Sequence, residues 1–128
     1  MRFLLDTHTF IGFVTDSPRL SDGAKQLIED DYNEKLLSSA SIWEMAIKHS
    51  TGKLNFSTTF PQFIEQQIGL NSIDLLLIEI SHINVVSTLA FHHRDPFDRL
   101  LISQAFVENI PILSTDIAFD AYPIQRVW

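Results

Sequence analysis

The chain has 128 residues, a net charge of −7 and no cysteine. Its length suits a single domain spanning residues 1–128, able to bury roughly two thirds of its unfolded surface. With 45% hydrophobic and 20% charged residues it is neither disordered nor fibrous, and without cysteine it has no disulfides, thiolate zinc sites or cysteine nucleophiles.

The first strand is predicted at Arg2 to Asp6, followed by a short helix from Thr7 to Val14 that Asp16-Ser17-Pro18 breaks. Ser21 is placed to N-cap a second helix, which carries Ala24, Leu27 and Ile28 on one face. Lys35 to Ser39 reads as the second strand. Ile42, Met45, Ala46 and His49 then follow with helical spacing until Thr51-Gly52. A turn through Lys53 to Phe56 leads to the N-cap signal Ser57-Thr58-Thr59. The helix after it turns Phe60, Phe63, Ile64 and Ile68 inward and ends at Gly69.

Leu75 to Ile80 is an apolar run of strand length, and Ser81 is placed to cap a helix carrying Ile83, Val86, Leu89 and Ala90. The helix after Asp95 carries Leu100, Leu101, Ala105 and Phe106 and ends at Asn109. Ile112 to Ser114 is a further strand, with an edge strand at Ile124 to Val127. Strands alternating with helices predict an α/β sandwich on a mainly parallel sheet.

No apolar stretch approaches the roughly 20 residues that span a bilayer. Asp6 also interrupts the apolar start before it reaches the length of a signal peptide's core. A cytoplasmic location without membrane contact is the expectation. The negative charge argues against a protein that coats nucleic acid with a basic surface. It leaves room for a nuclease, because metal-binding carboxylates are themselves acidic and bound cations invert their field. It also suits a partner with a basic segment.

Asp6 and Asp116 end apolar runs, while Glu44 and Asp98 stand where helices are predicted to begin. On a parallel sheet the strand ends and the following helix starts share one rim. Carboxylates gathered there repel one another unless a hard cation such as Mg²⁺ or Mn²⁺ lies between them. Each acid also has a plainer reading. Asp95-Pro96-Phe97-Asp98 has the pattern of a helix start, with Asp95 as cap, and Ser41-Ile42-Trp43-Glu44 has the spacing of a capping box. Asp6 would cap the helix from Thr7, and Asp116 would serve as a turn residue.

His92-His93 precedes a helix, where histidines more often pack or face solvent than bind metal; His8 follows the first strand, and His49 and His82 are helix residues. Zinc is disfavoured without an H-x-x-x-H spacing or cysteines. The cations nearest the acids in sequence are Lys48, one helical turn after Glu44, and Arg94 and Arg99, which flank Asp98. They are the candidates for phosphate contact. Trp43, Phe91 and Phe97 are expected in the core more than on a base-stacking surface. There is no G-x-x-x-x-G-K-[ST] or G-x-G-x-x-G motif to hold a nucleotide.

Leu4-Leu5-Asp6-Thr7-His8, Ser41-Ile42-Trp43-Glu44, His93-Arg94-Asp95-Pro96-Phe97-Asp98-Arg99-Leu100-Leu101 and Leu113-Ser114-Thr115-Asp116 occur in this order along the chain. Together they resemble PIN-domain ribonucleases, in particular the toxin subunits of VapBC-type toxin–antitoxin pairs. The resemblance implies a PIN-like three-layer α/β sandwich and a Mg²⁺- or Mn²⁺-dependent endoribonuclease restrained by a cognate antitoxin and forming a homodimer. It makes Asp6, Glu44, Asp98 and Asp116 the acidic quartet, with Thr7 and Ser114 as supporting hydroxyls. Two other classes stand against it. A phosphatase or nucleotidase would use Asp6 as nucleophile, but Asp6-Thr7-His8 lacks the second acid of a D-x-D site. A binding module would use its acids only to cap helices and attract a basic partner.

Overall fold

The computed structural model describes residues 1–128 as five strands in one sheet, all parallel, in the order β3-β2-β1-β4-β5. The strands are β1 (Arg2–Leu5), β2 (Glu34–Ser38), β3 (Ile73–Leu76), β4 (Ile112–Leu113) and β5 (Arg126–Val127). The helices are α1 (Thr7–Val14), α2 (Asp22–Glu29), α3 (Ser39–Ser50), α4 (Phe60–Leu70), α5 (Ile80–Thr88) and α6 (Pro96–Glu108), and a 3₁₀ turn covers Ile117–Ala121. This is the predicted three-layer architecture.

Strands covered on both faces need apolar side chains on both, which is why β1 reads Phe3-Leu4-Leu5 without alternation. Phe3, Leu5, Leu37 and Leu113 face one way, onto Phe10 of α1, Ala24 and Ile28 of α2, Met45 of α3 and Ile64 of α4. Leu4, Leu36 and Ile112 face the other way, onto Leu101, Ile102 and Ala105 of α6, with Phe119 and Tyr122 closing that core. Burying each of the leucine, isoleucine, phenylalanine and methionine side chains contributes about 1.5–3 kcal/mol.

Three expectations are corrected. α3 starts earlier than its sequence suggests: Ser38, not Ser41, is the cap, accepting from the Ala40 N–H. Ser41 through Glu44 is therefore no capping box. The third strand is Ile73–Leu76 rather than Leu75 to Ile80, because Ile73 and Leu76 bury on opposite faces while Leu77 and Ile80 stay exposed. α5 correspondingly begins after Glu79, not Ser81, and the Glu79 N–H donates to Nδ1 of His82 at 3.0 Å. That makes His82 the buried residue of α5, whereas Ile83 is exposed and Leu89 and Ala90 lie beyond its end. Smaller shifts are that α4 runs one residue past Gly69 and that Phe106 is half exposed. Asn109 ends α6 as predicted, in the left-handed conformation at φ 52°.

Candidate active site

In a parallel sheet, ligands gather where the strand order reverses, outside the carboxyl ends of the strands. Here the order turns between β1 and β4. Leu5 and Leu113 are paired across that seam, so the residues that follow them, Asp6 and Ser114, are neighbours. Ser114 Oγ donates to Asp6 Oδ2 at 2.8 Å. Asp6 is only 2% exposed, its side chain does not cap α1, and its Oδ1 has no hydrogen-bond partner. The capping alternative for Asp6 is thereby removed.

Glu44 comes from the second turn of α3, too deep in the helix to cap it. It is 8% exposed; Lys48 Nζ lies 3.4 Å from Oε2, while the buried Oε1 has no partner. Asp98 occupies the first turn of α6, where Asp95 is the cap as predicted, accepting from the N–H groups of Phe97 and Asp98. Asp116 is half-exposed and keeps its turn role through Oδ1, which accepts from the Ala118 N–H at 3.0 Å. Its second oxygen, Oδ2, lies 3.6 Å from Nε2 of His93.

The four predicted acids gather closely enough that Asp6 and Asp98 both feel the charges of Glu44 and Asp116. Burial chiefly, and then the charges of Asp6, Asp95, Glu44 and Asp116, together push the Asp98 carboxyl up to about 8. Asp6 is raised as well, chiefly by burial and then by Asp116 and Glu44, against the Ser114 hydrogen bond and the nearby His8. A cluster that disfavours its own ionisation, with two buried oxygens lacking donors, fits a hard cation in its chemistry.

The supporting hydroxyls are divided in their tasks. Ser114 touches Asp6 directly, whereas Thr7 Oγ1 donates to Ser41 Oγ at 2.8 Å and ties α1 to α3. His93 is the participant that sequence reasoning missed. Its Nδ1 accepts from the Asp95 N–H at 3.1 Å, which leaves the proton on Nε2. Nε2–H then donates to Asp98 Oδ2 at 3.0 Å, with Asp116 Oδ2 at 3.6 Å. With both nitrogens engaged, His93 orients these carboxylates, and a ring nitrogen of His93 and carboxylate oxygens of Asp98 and Asp116 all lie within 4.8 Å of one another, as the ligands of one ion would. Its only sequence signal is its place two residues before the cap.

Two further expectations change. Arg99 is no phosphate contact: it is 5% exposed and donates to the carbonyls of Leu89, Ala90 and His93. Its guanidinium also stacks on Phe91, 4.0 Å from the ring centroid. It is a clamp on the loop that carries His93. Trp43 and Phe91 are not core residues; both are exposed, and Trp43 meets Phe97 edge-on at 5.0 Å beside Glu44 and Asp98. Arg94 is exposed and Lys48 is partly so.

Such a parallel α/β fold is that of the PIN domains. The chain belongs to that family: the PIN domain model matches residues 3–125. Among solved structures, the chain is similar to VapBC2 from Rickettsia felis bound to a DNA fragment from its promoter, with a TM-score of 0.73 at 16% identity, covering 99% of this chain and 98% of that one. It is also similar to VapBC-1 from nontypeable Haemophilus influenzae (TM-score 0.69, 15% identity, 99% and 97% covered). FitAcB from Neisseria gonorrhoeae is similar too (TM-score 0.68, 15% identity, 100% and 97% covered). No curated protein sequence matches the chain. No helix is long and apolar enough to cross a membrane.

Proposed function

We propose that this PIN domain is a Mg²⁺- or Mn²⁺-dependent endoribonuclease and the toxin of a toxin–antitoxin pair, working in the cytoplasm. The observation that carries the reading is the pair of buried carboxylate oxygens, Asp6 Oδ1 and Glu44 Oε1, that no donor in the chain meets. Leaving such groups buried and unpaired is costly, and a cation removes the cost. The family assignment and the VapBC and FitAB neighbours support the toxin role.

Asp6, Glu44 and Asp98 would hold the metal, with Asp116 completing the set. When bound, a divalent ion supplies a water acidified towards neutral pH and neutralises charge on the phosphodiester. The protein's own share is orientation. Ser114 fixes one oxygen of Asp6, and His93 fixes one oxygen of Asp98. Lys48 stands beside Glu44, where its ammonium pairs with the acid or with an incoming phosphate. Arg94, exposed beside the same helix start, is the second phosphate contact.

The partners are RNA, a cognate antitoxin and a second copy of the chain. An acidic pocket on a −7 protein invites an Arg or Lys side chain from the antitoxin to stand where the metal would. Titrating Mn²⁺ into the protein with a single-stranded RNA tests the reading. Cleavage should appear with Mn²⁺ or Mg²⁺ and vanish in chelator, and Mn²⁺ should raise the melting temperature. A protein whose melting temperature ignores Mn²⁺, and which cleaves nothing, would instead be an acidic binding module. A trapped aspartyl-phosphate on Asp6 would make it a phosphatase.

A further inference from the structure

A cavity of about 500 Å³ opens beside the carboxylates, along α1 and the loop that follows it. Asp6 and Asp116 form part of its wall, and His8, Arg19, Leu20 and Trp128 line it further out. The catalytic reading above uses none of those outer four. The Arg19 guanidinium is exposed and joins no ion pair, in contrast to Arg2 and Arg126, which pair with Glu34 and Asp120. Trp128 keeps 38% of its surface exposed, and its indole N–H bonds nothing within the chain.

A flat indole, a free guanidinium and an imidazole around one cavity complement a nucleotide. A base stacks on the indole, and a phosphate accepts from the guanidinium. The wall sets hydroxyl, imidazole, guanidinium and carboxylate groups among the apolar surfaces of Ile11, Leu20 and Trp128. The wall shared with Asp6 and Asp116 makes the cavity continuous with the cation-ready rim.

We propose that this cavity binds one unpaired nucleotide of a single-stranded RNA, adjacent to the scissile phosphate, with Trp128 stacking on its base and Arg19 gripping the neighbouring phosphate. The proposal rests on the ribonuclease reading and names the form of substrate it takes. A base stacked within a duplex cannot offer its face to an indole, so the subsite selects single strands.

The test compares Arg19→Ala, Trp128→Ala and Trp128→Phe with the parent on a short single-stranded RNA. Steady-state cleavage is measured alongside thermal unfolding with and without Mn²⁺. Each alanine variant should raise KM roughly ten-fold, the loss of one stacking or phosphate contact. Both should keep kcat and the parental Mn²⁺ shift, and Trp128→Phe should recover most of the KM. Unchanged KM with weakened inhibition by an antitoxin would overturn the proposal in favour of a protein-docking surface. A KM rise accompanied by a lost Mn²⁺ shift would also overturn it, by making both residues supports of the acidic rim. Fluorescence anisotropy of the same RNA in Ca²⁺ separates this from the parent reading. If the parent cleaves no RNA, the ribonuclease reading falls. Weaker binding by both alanine variants then upholds the subsite, and equal binding overturns it.

Discussion

Ser114 gives one hydrogen bond to Asp6, at 2.8 Å, and leaves the other oxygen of the same buried carboxylate with no donor. A side chain packed only for stability would have both oxygens satisfied or would be replaced by an apolar one. Half satisfaction is what a ligand held ready by the protein looks like. The arrangement is a tension that the fold carries whenever no cation is bound.

Removing one charge from that cluster should relieve it. In chelator at about pH 9, where Asp98 is ionised, Asp98→Asn should melt higher than the parent by about 3–5 °C, corresponding to roughly 1 kcal/mol of repulsion. With Mn²⁺ the order should reverse, because binding stabilises only a site that holds the ion. RNA cleavage should be lost throughout. Differential scanning fluorimetry in both buffers reads this, and an Asp98→Asn protein that melts lower in chelator and gains as much from Mn²⁺ as the parent would remove Asp98 from the metal site.

The same cluster fixes the sign of the pH response. Asp98 has an ordinary carboxyl pKa of 3.8 and is raised to about 8 in the fold. Between those values the folded chain holds a proton that the unfolded chain has released. Stability in chelator should therefore fall as pH rises from about 4 to about 8. The slope should stay well under the limiting 1.4 kcal/mol per pH unit, because solvent screens part of the site. Saturating Mn²⁺ should invert the trend, since protons then compete with the metal for the carboxylate. Urea midpoints at pH 5, 6.5 and 8 decide it; a metal-free protein that gains stability across this window would contradict the assignment.

How far the site could be read from sequence depended on how its residues are held. Asp6 and Ser114 were legible because each follows an apolar strand, and parallel pairing brings successive strand ends to one rim. Glu44 was obscured by a capping-box spacing that means nothing once Ser38 starts the helix. Arg99 was misread as a phosphate contact. A guanidinium beside an acid in sequence reads as a phosphate grip, and only the folded loop reveals that it is bound to three carbonyls. The third strand was misplaced because Leu75 to Ile78 is uniformly apolar, so composition carried no register. The exposure of Trp43 has no sequence signal at all.

Arg94 and Arg99, five positions apart in one motif, should separate cleanly. Arg99→Lys keeps the charge but loses the planar fork that reaches Leu89, Ala90 and His93. It should cost about 2 kcal/mol and lower the melting temperature by roughly 6–10 °C. Arg94→Ala should leave the melting temperature within about 1–2 °C, as exposed substitutions do, while raising KM for RNA. Equal stability losses in the two variants would place both arginines in the scaffold and end the role of Arg94 in phosphate contact.

His93 offers the closest distinction between holding a ligand and being one. Its Nδ1 is occupied by the Asp95 N–H, so Nε2–H is the donor that meets Asp98 at 3.0 Å. Losing an orienting hydrogen bond of this kind typically costs 10- to 100-fold in metal affinity. His93→Ala should therefore weaken Mn²⁺ binding by about that factor, yet still cleave RNA when the metal is saturating. His93→Gln places an amide N–H near where Nε2–H stood and should recover much of the affinity. If the imidazole ligated the metal directly, the amide nitrogen could not replace it, and glutamine would be as poor as alanine. Calorimetric Mn²⁺ titration of the three proteins distinguishes the two, and a glutamine variant no better than the alanine variant would move His93 from the support of Asp98 to the metal itself.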